Sequence, residues 1–184
     1  MIKFGTGGWR AIIGDQFTRA NVQLLMAALA QKMKDEGVAG RGFLIGYDRR
    51  FLSEEAARWA AEVMAAQGIH TLLIDREAPT PLIMFSVKYY NLAYGMAVTA
   101  SHNPAIYNGI KVFTAGGRDA DELVTQSLEE YIAQMEEPVP VLPFEEGIRA
   151  GTIELINPMN TYVDAIIRSI NMDAIRSRGL KVVL

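Results

Sequence analysis

Residues 99–104, with the sequence Thr-Ala-Ser-His-Asn-Pro, form the most informative stretch of the chain. The hydroxyl of Ser101 is followed at once by His102 and Asn103, and all three side chains can hydrogen-bond to backbone groups or to the oxygens of an anion. A serine followed by His-Asn-Pro is more often an ordinary turn or helix cap than a nucleophile. On residue types alone, the stretch therefore predicts an exposed loop whose role is either structural or chemical.

The elements that must position this loop follow from the hydrophobic pattern. Thr18 is a predicted N-cap of the first helix and Ser53 of the second, Pro81 lies in the first turn of the third, and Asn108-Gly109 predicts a turn. We predict helices over 19–36, 54–67, 81–88, 121–135 and 159–178, strands over 43–47, 69–74 and 94–99, and an apolar stretch over 110–113. This alternation predicts an α/β fold, namely a three-layer α/β/α arrangement with a mixed, mostly parallel sheet.

The chain divides into two parts. Residues 1–137 are predicted to be one domain that carries the serine, and residues 138–184 are predicted to be a linker, a helix and the truncated start of a second domain. Residues 179–184, Gly-Leu-Lys-Val-Val-Leu, have the pattern of a buried strand with no following turn. Because such a half-strand would leave apolar surface and backbone groups unprotected, we predict that the sequence stops inside a longer protein.

Bulk composition narrows the classes of function. The formal net charge of −3 and the pI near 5.5 give no broad basic field, so neither nucleic acid nor a membrane surface is an expected partner. The chain has no cysteine, which excludes disulfides and a cysteine nucleophile and is compatible with a reducing cytoplasm, the predicted location. No apolar run approaches the roughly 18 residues of a membrane span, and no signal peptide is expected.

Two motifs resemble those of a known family. Residues 99–104, together with Tyr-Asn-Gly-Ile-Lys at 107–111, are similar to the active-site signature of the α-D-phosphohexomutases, the phosphoglucomutase and phosphomannomutase family. Residues 4–10, Phe-Gly-Thr-Gly-Gly-Trp-Arg, resemble the family's N-terminal Gly-Thr-Ser-Gly-x-Arg-Gly element, with Gly7 where the family commonly has serine and Ala11 where it commonly has glycine.

The resemblance implies that Ser101 carries a phosphoryl group, gives it to one end of a hexose phosphate and recovers another from the other end. Hexose 1-phosphate and hexose 6-phosphate, of glucose or mannose, are thereby interconverted through a hexose 1,6-bisphosphate, which also serves as activator. In the family, Mg²⁺ bridges the phosphoserine and an aspartate-rich loop of the second domain. No Asp-Gly-Asp-Gly-Asp segment occurs in this sequence, so the phosphate on Ser101 is the one expected metal ligand, and the fragment alone is expected to be inactive.

The same resemblance assigns roles to further residues. Lys111 matches the family lysine near the reacting hydroxyl, where its ammonium steadies the oxyanion or exchanges a proton. Arg10 is expected to clamp phosphoryl oxygens through charge-assisted hydrogen bonds. Thr6, His102 and Asn103 are expected to bind the substrate or its phosphate, with a loop-holding role as the alternative for the last two. The implied partners are a hexose phosphate and the remaining domains of the parent chain.

Two other functions stay open at this point. Ser101 and His102 could belong to a hydrolase site, although adjacent residues do not normally present a Ser-His pair in attack geometry and no Gly-x-Ser-x-Gly elbow surrounds the serine. The second alternative is a non-catalytic phosphosugar-binding or assembly domain, which is how the fragment would behave if the sugar-recognition domains lie elsewhere.

Overall fold

The computed structural model describes residues 2–5, 8–179 and 181–183, which form one mixed sheet with helices on both of its faces. The strands are β1 (Trp9–Ile12), β2 (Phe43–Tyr47), β3 (Thr71–Ile74), β4 (Tyr94–Val98), β5 (Tyr107–Thr114), β6 (Arg118–Asp119) and β7 (Ile153–Ile156). The helices are α1 (Arg19–Asp35), α2 (Ser53–Ala66), α3 (Thr80–Tyr89), α4 (Glu122–Gln134), α5 (Phe144–Ala150), α6 (Met159–Ser169) and α7 (Met172–Ser177). In the described part of the chain, no helix is long and apolar enough to cross a membrane.

The sheet runs in the order β1-β5-β4-β2-β3-β7, and β6 pairs with the far end of β5. Strands β4, β2, β3 and β7 are parallel, whereas β5 runs antiparallel to both β4 and β1. The predicted α/β fold, with three α/β/α layers and a mixed, mostly parallel sheet, is confirmed. Such sheets bind ligands beyond the carboxyl ends of their parallel strands, and the end of β4 lies at that edge.

Alternation along the buried strands directs side chains into two separate cores. In β2, Phe43 and Ile45 belong to the larger core, which also contains the buried faces of α1, α2 and α4. Leu44, between them, belongs to the smaller core on the opposite face, under α3, which Met159 and Tyr162 of α6 also contact. At about 25 cal/mol per Å² of apolar area removed from water, these two cores are the main favourable contribution to folding.

Most helices begin where the local sequence predicts. The side chains of Thr18 and Asp121 each accept a hydrogen bond from the backbone N–H three residues further on, so they cap α1 and α4. Pro81 lies in the first turn of α3, as predicted. The prediction for Ser53 is wrong. It is the first residue of α2 rather than its cap, because its hydroxyl donates to Oδ1 of Asp48 at 2.8 Å.

The turn predicted at Asn108-Gly109 is also wrong, since both residues lie inside β5. The Asn108 side chain is buried, and its amide donates to the carbonyl of Phe51 at 3.0 Å and to Oγ of Ser53 at 2.9 Å. These contacts satisfy the polar group inside the sheet, so a dipeptide that usually favours a turn remains in a strand.

The C-terminal elements differ from the prediction as well. The helix predicted over 159–178 is two helices, because the side chain of Asn171 accepts a backbone N–H three residues further on and starts α7 as a new helix. The strand predicted over 179–184 is absent from the residues of that stretch that the structure describes, and Leu180 and Leu184 lie outside them. The described ones are exposed, so no neighbouring strand supports them.

Four elements were not predicted from the sequence, namely β1, β6, α5 and β7. Strand β7 pairs in parallel with β3 and extends the same sheet. Residues beyond the boundary predicted after Glu137 therefore contribute an edge strand to the sheet of the first part. The boundary itself stays a prediction.

Candidate active site

The serine loop, which we define as residues 99–106, joins β4 to β5 at the carboxyl edge of the sheet. A cleft of about 70 Å³ opens beside it. Ser101 lines this cleft together with Arg10 of β1, Lys111 of β5 and Thr80, the first residue of α3. Three predicted site residues, from β1, the serine loop and β5, are therefore brought to one place.

Ser101 has a left-handed backbone conformation, with a φ angle of 55°. Its N–H donates to Oγ1 of Thr99 at 3.0 Å, and its exposed side chain makes a long contact of 3.4 Å from Oγ to Nδ1 of His102. For a non-glycine residue this conformation costs roughly 1–2 kcal/mol, so surrounding contacts must hold it. The loop thus maintains a strained serine whose hydroxyl is open to solvent.

Arg10 and Lys111 lie on the same face of the sheet, on neighbouring strands. Arg10 pairs with Gly109 across the ladder, and Lys111 is two residues further along β5 on the same side. Trp9, next to Arg10, points instead into the larger core. The guanidinium of Arg10 donates from Nη1 to Oδ1 of Asn103 at 2.9 Å. Two cationic side chains therefore flank the cleft, and one of them also contacts the serine loop.

The ammonium of Lys111 has a carboxylate partner in this structure. Its Nζ lies 2.9 Å from Oδ1 of Asp119, a residue of β6, and 6.0 Å from the ring centroid of Phe113. The Lys111 side chain is 24% exposed, whereas that of Asp119 is 50% exposed. Because the ion pair is partly open to water, Lys111 can exchange this partner for an anion in the cleft at low cost.

Gly109 allows β1 and β5 to approach closely. A Cβ atom at Gly109 would lie 2.2 Å from the carbonyl oxygen of Trp9 and 3.0 Å from that of Thr99. A Cβ atom at Gly8 would lie 2.7 Å from the carbonyl oxygen of Ile110. No side chain fits at either position without moving backbone. These two glycines therefore set the distance between the strand that carries Arg10 and the start of the serine loop.

Arg50 is a site residue that was not predicted from the sequence. Its guanidinium donates to four backbone carbonyls at distances between 2.6 and 3.1 Å. The carbonyls belong to Ser101, Asn103, Pro104 and Tyr107. Two weak sequence signals pointed to Arg50, namely its place just after β2, at the edge where ligands are expected, and a resemblance of residues 46–50 to a family element. Its contacts could not be predicted, because its partners are backbone atoms that no residue type reveals.

The remaining predicted site residues contact Ser101 less directly or lie outside the described residues. His102 reaches Ser101 only through the long contact to its hydroxyl. Asn103 accepts from Arg10 through its side chain, and its N–H donates to the carbonyl of Ala100 at 3.0 Å. This agrees with a loop-shaping role for Asn103. Thr6 lies outside the described residues.

The expected magnesium ion finds few ligands here. Across residues 2–5, 8–179 and 181–183, no group of three or more His, Cys, Asp or Glu side chains is arranged to hold a metal ion. A phosphate on Ser101 would supply hard oxygen ligands of the kind that Mg²⁺ prefers. The described residues thus fit a single-ligand contribution and not a complete metal site.

These features define a class of protein, an α/β/α domain that presents an exposed, strained serine beside two cationic side chains. Residues 1–139 match the family model described as phosphoglucomutase/phosphomannomutase, alpha/beta/alpha domain I. The chain therefore belongs to the phosphoglucomutase/phosphomannomutase family, and the resemblance drawn from its two motifs is confirmed.

Individual relatives agree with this assignment. A phosphoglucomutase from Komagataeibacter xylinus is 32% identical over 194 aligned residues, which cover 98% of this chain and 35% of that protein. A probable phosphoribomutase from Schizosaccharomyces pombe is 41% identical over 123 residues, covering 63% of this chain and 21% of that protein. Members of the family thus carry names that refer to different sugars.

A solved structure supports the fold. A protein from Thermus thermophilus, assigned as a phosphomannomutase, superposes with a TM-score of 0.82 at 29% identity over 94% of this chain and 37% of its own. The chain therefore spans about a third of the length of the phosphoglucomutase and phosphomannomutase relatives that it matches over nearly its whole length.

Proposed function

We propose that this chain is the phosphoserine-carrying domain of a mutase that interconverts hexose 1-phosphate and hexose 6-phosphate. The observation that carries the proposal is the strained, exposed Ser101 in one cleft with Arg10 and Lys111. A phosphoryl group bears about −1.5 to −2 charges on serine and needs cationic neighbours. Membership in the phosphoglucomutase/phosphomannomutase family supports transfer within a sugar phosphate.

The transfer requires little covalent work from the protein. The bond between phosphorus and Oγ of Ser101 breaks as a sugar hydroxyl forms a new bond to phosphorus, and the proton of that hydroxyl ends on the departing Oγ, directly or by way of Lys111. The bisphosphate then returns its other phosphoryl group to Oγ, and the Oγ proton passes to the freed sugar oxygen. Arg10 donates to the phosphoryl oxygens, and Lys111, once released from Asp119, lies near the reacting hydroxyl, where it steadies the charge or exchanges the proton.

The cleft of about 70 Å³ is smaller than the several hundred Å³ of a usual ligand pocket, so it would hold only part of a hexose phosphate. We therefore place sugar recognition and most magnesium ligands in further domains, with the phosphate on Ser101 as this chain's contribution to the metal. Magnesium would supply extra charge neutralisation there. On this proposal, the identity of the sugar is set outside this chain, and the isolated chain is inactive. The absence of cysteine suits an enzyme of the cytoplasm.

Phosphate mapping tests the proposal. The chain joined to its remaining domains is incubated with radiolabelled glucose 1,6-bisphosphate, digested and analysed by mass spectrometry. We expect the label on Ser101, and we expect Ser101→Ala to remain unlabelled while Ser169→Ala, at an exposed serine of α6, labels like the parent. A label that maps consistently to another residue, or none at all, overturns the proposal.

The second candidate, a non-catalytic phosphosugar-binding or assembly domain, rests on the fraction of its relatives that the chain covers. Calorimetric titration of the isolated chain with glucose 1-phosphate and mannose 6-phosphate distinguishes the two. Micromolar binding by this chain alone favours the binding domain, whereas no binding or millimolar binding favours a mutase whose sugar contacts lie elsewhere.

A further inference from the structure

We propose that Arg50 is a positioning residue that holds the serine loop in its strained conformation and thereby aims the Ser101 hydroxyl for phosphoryl transfer. The part of this inference that concerns transfer rests on the proposed function. The part that concerns the loop stands on geometry alone, and the two are tested separately below.

The guanidinium of Arg50 sits where four carbonyl oxygens converge. Nη2 donates to the carbonyls of Ser101 at 2.8 Å and Asn103 at 2.6 Å, and Nη1 to those of Pro104 at 3.0 Å and Tyr107 at 3.1 Å. Only a planar group with several fixed donors can serve four acceptors at once. The loop is therefore wrapped around one side chain.

This contact fixes the peptide next to the serine. In a trans peptide the N–H points opposite to the C=O, so holding the Ser101 carbonyl toward Arg50 turns the N–H of His102 away from it. The same contact opposes relaxation of the left-handed backbone at Ser101, whose φ angle is 55°. Hydrogen bonds to a charged donor contribute about 1.5–3 kcal/mol, enough to offset the roughly 1–2 kcal/mol of strain.

Arg50 is itself anchored mainly by contacts that do not use its side chain, although its Nε also lies 3.6 Å from Oδ2 of Asp48. Oδ1 of Asp48 accepts from the Arg50 N–H at 2.9 Å and from Oγ of Ser53 at 2.8 Å. Asn108 donates to Oγ of Ser53 and to the carbonyl of Phe51, which ties the same turn to β5. Truncation of the Arg50 side chain therefore removes the loop contacts and the ion pair with Asp48, whereas the hydrogen bonds of Asp48, Ser53 and Asn108 that hold this turn remain.

Amide hydrogen exchange tests the loop part in the isolated chain. The N–H groups of Asn103 and Tyr107 each donate within this region, to the carbonyls of Ala100 and Pro104, and so report on its order. In Arg50→Ala we expect their exchange to accelerate about tenfold or more. Arg49→Ala, at the exposed neighbouring arginine, is the matched control and should match the parent.

In Arg50→Lys we expect exchange rates between those of Arg50→Ala and the parent, since one ammonium cannot reach all four carbonyls. Equal exchange in Arg50→Ala and the parent overturns the inference, whatever the chain's function. Faster exchange confirms that Arg50 holds the loop.

Steady-state kinetics in the chain joined to its remaining domains tests the aiming part. We expect Arg50→Ala to lower kcat about 100-fold with KM for the hexose phosphate within twofold, and Arg50→Lys to recover part of kcat. A residue that only stabilised the fold would instead lower the melting temperature and leave kcat per folded molecule unchanged. If kcat is unchanged in Arg50→Ala although amide exchange is faster, the inference that Arg50 aims the Ser101 hydroxyl is overturned. If Ser101 never takes up phosphate in the parent, the proposed function fails while the exchange result still stands.

Discussion

The serine loop and the layer formed by α1 and α2 are held by opposite kinds of contact. The α1–α2 layer contains eight buried alanines and is held mainly by apolar packing, whereas the loop is exposed and depends on one guanidinium and a few hydrogen bonds. These alanines are Ala27, Ala28, Ala30, Ala56, Ala57, Ala60, Ala61 and Ala65. The layer is sensitive to volume and the loop to single polar atoms.

This difference separates stability from chemistry. Small side chains let α1 and α2 pack closely over the sheet, and no single alanine there carries a reactive group. In the loop, the contacts from Arg50 offset the strain at Ser101, so the net effect of the two on the free energy of unfolding is small. We therefore expect substitutions in the α1–α2 layer to change stability at constant kcat. Substitutions around the serine loop should change kcat at nearly constant stability.

Ser101→Ala should give the largest effect. It removes the atom that receives phosphorus, so turnover in the chain joined to its remaining domains should fall by about 10⁴-fold or more. The melting temperature should change little, because the side chain is exposed. The control is Ser169→Ala, assayed by the rate of hexose phosphate isomerisation. Retained turnover in Ser101→Ala would require another phosphoryl carrier.

Lys111→Ala should lower kcat by about 100-fold, through the loss of a charge beside the reacting hydroxyl. Its ion pair with Asp119 is half exposed at the carboxylate, so the free energy of unfolding should fall by less than about 1 kcal/mol. Lys34→Ala, at an exposed lysine of α1, provides the comparison in both assays. A loss of stability without a loss of rate would place Lys111 with the structural residues.

Ala60→Leu tests the α1–α2 layer, where we expect a change in stability and none in turnover. The residue is fully buried between packed elements, so three added carbon atoms should lower the free energy of unfolding by about 2 kcal/mol while kcat per folded molecule stays constant. Ala66→Leu on the same helix is exposed and should be close to neutral. Urea unfolding measures both variants, and equal midpoints would show that the layer tolerates extra volume.

The smallest expected effect concerns the N-terminal segment and depends on pH. Hydrogen bonds from Lys3 and from the Phe4 N–H hold the pKa of Glu129 below its ordinary value of 4.5. The stability from this contact is present above about pH 4.5 and is lost as the pH falls through the lowered pKa. Because the Lys3 side chain is 66% exposed, the contribution stays below about 1 kcal/mol.

Thermal unfolding of Glu129→Gln and the parent between pH 7 and pH 3 measures this contribution. We expect the difference in melting temperature to shrink as the pH falls, and Glu130→Gln, at the exposed neighbour, to show no such trend. A difference that persists at pH 3 would mean that the contact with Glu129 does not depend on its charge.

Local signals predicted much of the fold, and long-range contacts account for the errors at Asn108 and β1. The errors at Ser53 and Asn171 come instead from local side-chain hydrogen bonds. Caps such as Thr18 and first-turn prolines such as Pro81 act within one turn of chain, so they are visible in the sequence. The strand character of Asn108 depends on partners 55 and 57 residues away, and no local pattern contains them. Strand β1 was not predicted for the same reason, since its hydrogen-bonding partner β5 is distant in the sequence.

The candidate site shows the same division. Ser101, Arg10 and Lys111 were predicted from motif resemblance, and the structure brings them to one cleft, although their catalytic roles stay predictions. Arg50 was not predicted, because a side chain that serves backbone carbonyls leaves no complementary residue type in the sequence.

The pairing of β1 with β5 also bears on the order of folding. Arg10 and Asn103 are 93 residues apart in the chain, so their contact closes a very long loop, whereas the helices form from neighbours. Closing such a loop carries an entropic cost that short connections avoid, and non-local pairings form slowly. During synthesis, β1 leaves the ribosome well before β5, so the cleft between them cannot be completed until β5 has been made.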